Sequence, residues 1–158
     1  VEEYWNGLKS LSKESLSTKD LVFIGVRDTE APEDYLIESE GIKNFKVEEV
    51  IKVGGKEIAL QTLNLLSACD IIYVSFDVDS MDCNLISHGT GTPVQNGFSE
   101  KETIELLTEL CKSPKLCCFE ITEINPLLDE KTNTMTETGL RILEKVTHTI
   151  ESKFQDAL

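Results

Sequence analysis

Three apolar runs of strand type constrain this chain more than anything else in it: LVFIGV (Leu21–Val26), IIYVSFDV (Ile71–Val78) and KLCCFEI (Lys115–Ile121). Branched and aromatic residues dominate them, and each gives way to a polar stretch, as buried strands do. Between them the period changes. KEIALQTLNLLSAC sets Ile58, Thr62, Leu65 and Leu66 at helical spacing. Ser99 and Glu102 form a capping box for a helix that turns Ile104, Leu107 and Cys111 inward. Thr134 and Glu137 form another, for a last helix with Leu140, Leu143, Ile150 and Phe154 inward. Tyr35–Glu40 reads as a short helix closed by Gly41, and FKVEEV (Phe45–Val50) as a weaker strand. Strands alternating with helices, and apolar enough to be covered on both faces, predict a three-layer α/β/α arrangement on a parallel sheet.

Ligands of such sheets bind at the carboxyl ends of the strands. There this chain puts acids: Glu30 and Glu33 after the first run, Asp77 and Asp79 at the second, Glu120 and Glu123 at the third. In YVSFDVDSMD, residues two apart on an extended chain point the same way, so Asp77 and Asp79 can face one centre. Carboxylates gathered there are costly without a positive partner. A hard or borderline divalent ion such as Mn²⁺ or Mg²⁺ would neutralise them. Asp82 is an outer partner or a turn residue. The plain alternative is that Asp79 and Asp82 only cap the turn after a strand.

Two other readings meet the sequence directly. An EF-hand loop from Asp77 needs Gly at its sixth position and Glu at its twelfth, and finds Asp82 and His88. A phosphoryl-transferring aspartate enzyme of the haloacid dehalogenase type also carries D-x-D after an apolar strand. Here Ser80-Met81 follow, mid-chain, with no later Gly-Asp motif. His88 and His148 read as a loop and a surface residue.

Composition limits the partners. One domain fits 158 residues, and 15 basic against 29 acidic residues leave a net charge of −14. That charge disfavours nucleic acid and anionic membranes, and suits a cationic ligand or a metal. No apolar run approaches the ~18 residues that would span a bilayer. The five cysteines include no C-x-x-C pair. They read as reduced, mostly buried thiols of a cytoplasmic protein.

The long loop after the second run carries a resemblance. SFDVDSMDCNLISHGTGTPVQNGFSEKE resembles the signature of the arginase/ureohydrolase family, with S-F-D-V-D-x-x-D followed by G-T-G-T-P, a glycine and a helix start. KDLVFIGVRDTEAPEDYLIESEGIKNFKVEEV before it and FEITEINPLLD after it are similar to family stretches in the same order. The resemblance implies that Asp77 and Asp79 ligate a pair of manganese ions and that Glu123 pairs with the substrate guanidinium. It implies that Glu30 and Glu33 hold the α-amino group of arginine, Glu30 standing where Asp is common, and that Thr92 contacts the pocket floor. The activity implied is manganese-dependent hydrolysis of L-arginine to L-ornithine and urea. Agmatinase and formimidoylglutamase are the near alternatives, and the likeness implies a homo-oligomer, a trimer or hexamer.

The family's other metal ligands come from G-G-D-H and D-A-H-x-D motifs earlier in its chain, and neither occurs here. The sequence therefore reads, over residues 1–158, as the C-terminal part of a single arginase-like α/β domain. Alone it is expected to be inactive, or a non-catalytic fragment, and to leave a central strand as an exposed edge.

Overall fold

The computed structural model describes residues 2–12, 16–129 and 134–155. Ten elements position the site: α1 (Glu2–Lys9), β1 (Val22–Ile24), α2 (Ala31–Ser39), β2 (Lys43–Phe45), α3 (Val47–Val53), α4 (Gly55–Leu65), β3 (Ile72–Asp77), α5 (Glu100–Cys111), β4 (Leu116–Thr122) and α6 (Thr134–Gln155). All strand pairing between them is parallel. β1 runs beside β2 in register Val22 to Lys43 and Ile24 to Phe45. β3 runs beside β4, ending on the pair Asp77 and Thr122, with one register shift at Ile72/Tyr73.

The two pairs form separate two-stranded sheets. Between them lies a cleft of about 420 Å³, lined by β1 on one side and β3 on the other and floored by Leu106, Leu107 and Leu110 of α5. Two apolar clusters mirror this division. Phe45, Val47, Val50, Ile58 and Ala59 pack with Leu106, Leu110 and Phe98 beside β1. Phe76, Val78, Met81, Ile142 and Val146 pack with Leu107 and Cys111 beside β3. Successive stripes of α5 thus enter different cores.

The α/β class and the parallel pairing agree with the sequence reading; several local expectations do not. FKVEEV is not a strand. The strand ends at Phe45, and Val47 begins a helix that buries Val47 and Val50 and carries Glu48 and Glu49 in its first turn, where acids favour a helix start. Gly54, at φ 99, ends that helix in a conformation few other residues adopt. In α6 the buried stripe is Met135, Thr138, Ile142 and Val146, while Leu140 and Leu143 are 55% and 44% exposed. Ile150 packs at the edge of the core, and the side chain of Phe154 lies outside the described set. In α4, Ile58 and Thr62 are buried, but Leu65 near its end is exposed. The cysteines are all free, yet only Cys83 and Cys111 are buried; Cys117 and Cys118 are exposed on β4.

Candidate active site at the strand ends

β3 delivers Asp77 as its last residue, and a 3₁₀ turn over Val78–Ser80 follows at once. Asp77 caps that turn: its Oδ1 accepts the Asp79 N–H at 2.8 Å. Val78, fully buried, pins the turn from below, so both carboxylates emerge at the strand end. Burial lifts the Asp77 carboxyl above its ordinary range; the Asp79 N–H opposes this, while the charges of Asp79 and Glu123 add to the lift. Asp77, Asp79 and Glu123 therefore form one electrostatic cluster. Glu123 follows β4 directly, at φ 66, a left-handed conformation uncommon for a side-chain-bearing residue.

The GTGTP loop closes on Asp79. Thr90 Oγ1 donates to Asp79 Oδ1 and Thr92 Oγ1 to Asp79 Oδ2, so both carboxylate oxygens are held by hydroxyls. Thr90 is buried, whereas Thr92 lines the mouth of the cleft with Asp77, Asp79 and Asp28.

Asp82 is a loop staple. Buried, it accepts N–H groups of Asn84 (2.8 Å), Leu85 (3.3 Å) and Gly97 (3.2 Å). Burial works to raise its carboxyl, but these bonds, with one from Asn96, hold it below the ordinary range. Of the two roles expected for it, the turn role is the one its bonds describe. Glu120 faces sideways: it accepts the Ser75 hydroxyl across the strands at 2.7 Å and bonds Tyr73.

Glu30 and Glu33 open α2. Glu33 Oε2 accepts the Glu30 N–H at 2.8 Å in a reciprocal capping box. These bonds tie the two acids to each other and to the helix start, beside the end of β1, and both are exposed. His88 and His148 are exposed as well, His148 on α6.

Three residues the sequence reading passed over hold this site together. Arg27 donates to the carbonyls of Ser80 (3.2 Å), Met81 (3.0 Å), Val94 (2.9 Å) and Gln95 (3.2 Å), fastening both ends of the long loop to β1. Ser87, in the long loop, donates its hydroxyl to Asp129 in the turn after β4. Arg27 stands in the quoted RDTE stretch and Asp129 ends NPLLD, but neither spacing points to a partner so distant in sequence.

The oxygen donors of Asp77 and Asp79 suit a hard divalent cation in type. In number they fall short: among the described residues no group of three or more His, Cys, Asp or Glu side chains is placed to hold a metal.

Parallel strands whose carboxyl ends gather acids under a threonine-rich loop define an α/β protein with a strand-end acidic site. The model of the Arginase family matches residues 8–148. The chain belongs to the arginase family. It is 37% identical to arginase-1 of Rattus norvegicus over 125 residues, 78% of this chain and 38% of that protein. Its fold superposes on the crystal structure of Helicobacter pylori arginase with a TM-score of 0.85 at 33% identity, covering 94% of this chain and 50% of that one. It matches Entamoeba histolytica arginase in complex with L-ornithine with a TM-score of 0.76 at 31% identity, covering 90% and 46%. The chain thus spans about half or less of the length of these relatives.

Proposed function

We propose that these residues are the C-terminal part of an arginase-like hydrolase that converts L-arginine to L-ornithine and urea with manganese. The observation that carries the reading is the gathering of acids at the strand ends: Asp77 ends β3, Asp79 follows it under Thr90 and Thr92, and Glu123 comes directly after the parallel neighbour β4. Family membership supports it, as does the L-ornithine held by the Entamoeba relative.

Asp77 and Asp79 would hold the metal, with further ligands from outside the described residues. Manganese, when bound, supplies Lewis acidity that makes water nucleophilic near neutral pH. Glu123, exposed at the end of β4, pairs with the delocalised cation of the guanidinium and orients it by charge-assisted hydrogen bonds. Water adds to the guanidinium carbon, the bond from that carbon to the ornithine nitrogen breaks, and both protons of the water pass to that nitrogen, which leaves as an ammonium while the carbon keeps the oxygen as urea. Thr92 contacts the substrate at the mouth of the cleft, and Glu30 and Glu33 receive the α-amino group. The reading extends to a homo-oligomer, on the family resemblance, and to the cytoplasm, on the free cysteines. Among the described residues no helix is long and apolar enough to cross a membrane.

The test is ornithine release from L-arginine with Mn²⁺, by this chain alone and by a polypeptide that restores the remaining family ligands. The expected result is release only by the longer form, abolished by Asp79→Ala. Preference for agmatine would make the protein an agmatinase instead, and preference for formimidoylglutamate a formimidoylglutamase. No turnover of any of these by the longer form would identify a non-catalytic member.

A further inference from the structure

The loop that clamps Asp79 is itself fastened at one point. Asp129, in the turn after β4, accepts the Ser87 hydroxyl and the Met135 N–H (3.1 Å) on Oδ1, and the Thr136 N–H (2.9 Å) and hydroxyl (3.1 Å) on Oδ2. Ser87, 1% exposed, uses its oxygen again to accept the Gly89 N–H at 3.0 Å. The Gly89 carbonyl then accepts the Asn125 N–H at 2.8 Å, two residues past Glu123. Contact here is too close for any side chain: a Cβ on Gly89 would lie 2.7 Å from both the carboxyl carbon and Oδ1 of Asp129. The next residues are Thr90, which bonds Asp79, and Gly91, whose Cβ position lies 3.8 Å from Glu123 Oε2.

The segment from Ser87 to Thr92 thus runs between Asp79 and Glu123, and Asp129 ties its near end to the start of α6. We infer that Asp129 is a positioning residue of the strand-end site: through Ser87 and Gly89 it fixes the loop whose threonines orient the Asp79 carboxylate opposite Glu123. A helix cap alone needs the N–H groups of Met135 and Thr136 and has no use for Ser87. A carboxylate serving both is a brace between loop and helix, and outer partners of this kind set how well an inner ligand is held.

The effect on metal and turnover rests on the arginase reading above; the effect on the loop does not. The first measurement is therefore amide hydrogen exchange of this chain as Asp129→Ala, Asp129→Asn and Ser87→Ala, with Ile142→Val as a control destabilised elsewhere. Exchange at Gly89 and Asn125 is expected to rise about tenfold or more in Asp129→Ala and Ser87→Ala, as when a bond to a charged group is lost, and by less in Asp129→Asn. Ile142→Val should spread any increase over the β3 core. Ser87→Ala leaves the helix contacts intact, so it reads the loop even where Asp129→Ala fails to fold. If Ser87→Ala leaves Gly89 and Asn125 as slow as in the parent, Asp129 is only the cap of α6 and the inference is wrong. The second measurement is the Mn²⁺ dissociation constant of the longer polypeptide, expected to weaken about tenfold in Ser87→Ala. Unchanged Mn²⁺ affinity with a loosened loop would overturn the link to Asp79. A longer polypeptide that binds no Mn²⁺ and turns over nothing would sink the arginase reading and leave the brace to the exchange data.

Discussion

Arg27 directs its guanidinium to backbone carbonyls from three places in the chain: its own strand end, the turn after Asp79 and the far end of the loop. A planar fork with five donors can do this; an ammonium on a flexible stem cannot reach the same set. Arg27→Lys is expected to cost about 1–3 kcal/mol and Arg27→Ala about 2–4 kcal/mol, measured by urea unfolding, because several carbonyls are left without donors. Asp82 makes a different prediction. Burial works against its charge, but the four N–H groups around it win and its carboxyl sits below the ordinary value. A carboxyl whose pKa is lower in the folded state than in the unfolded one stabilises the fold above the unfolded value, near ~3.9, and that contribution fades as pH falls through the folded value. Stability measured by denaturant should therefore decline on acidification below about pH 4, and Asp82→Asn should be less stable at neutral pH with a flatter decline.

Among the elements, α6 offers the sharpest test of packing. Ile142 is wholly buried, so Ile142→Ala should cost about 2–4 kcal/mol, against less than about 1 kcal/mol for the half-exposed neighbour in Leu143→Ala. The reverse order would restore the stripe read from the sequence. That stripe failed because α6 carries two apolar stripes, Leu140–Leu143 and Ile142–Val146, and only the contact with α5 decides between them. The FKVEEV misreading has a similar source. Phe45, Val47 and Val50 are apolar at spacings of two and three, which fit the end of a strand and the first turn of a helix alike. By contrast β3 and α5 were legible, since a run of strand formers and a capping box each leave one local solution. The strand-end position of Asp77, Asp79 and Glu123 followed from that reading. The Asp129 brace was not legible, because Ser87 lies 42 residues away and no local pattern records such a pair.

At the scale of the whole molecule, the division of the sheet has a measurable outcome. β1 and β3 each pair with one strand and turn a second edge to the cleft. Among the described residues the backbone groups on those edges have no strand partners, so their amides should exchange well before those shared by β3 and β4. In a longer polypeptide that completes the family domain, the same amides should become slow. Uniform protection of both edges in the short chain would show the cleft closed in solution.

What joins the two apolar cores is then not the sheet but α5, which gives Leu106 and Leu110 to one cluster and Leu107 and Cys111 to the other. A helix in that position acts as a thermodynamic coupler. While it is formed, each half can melt only by stripping the other, and heating should give one transition whose calorimetric and van't Hoff enthalpies agree. Lys101→Gly, at an exposed position of α5, weakens the helix without touching either core. It should broaden that single transition toward two, making α5 the place where all-or-none melting of this chain is won or lost.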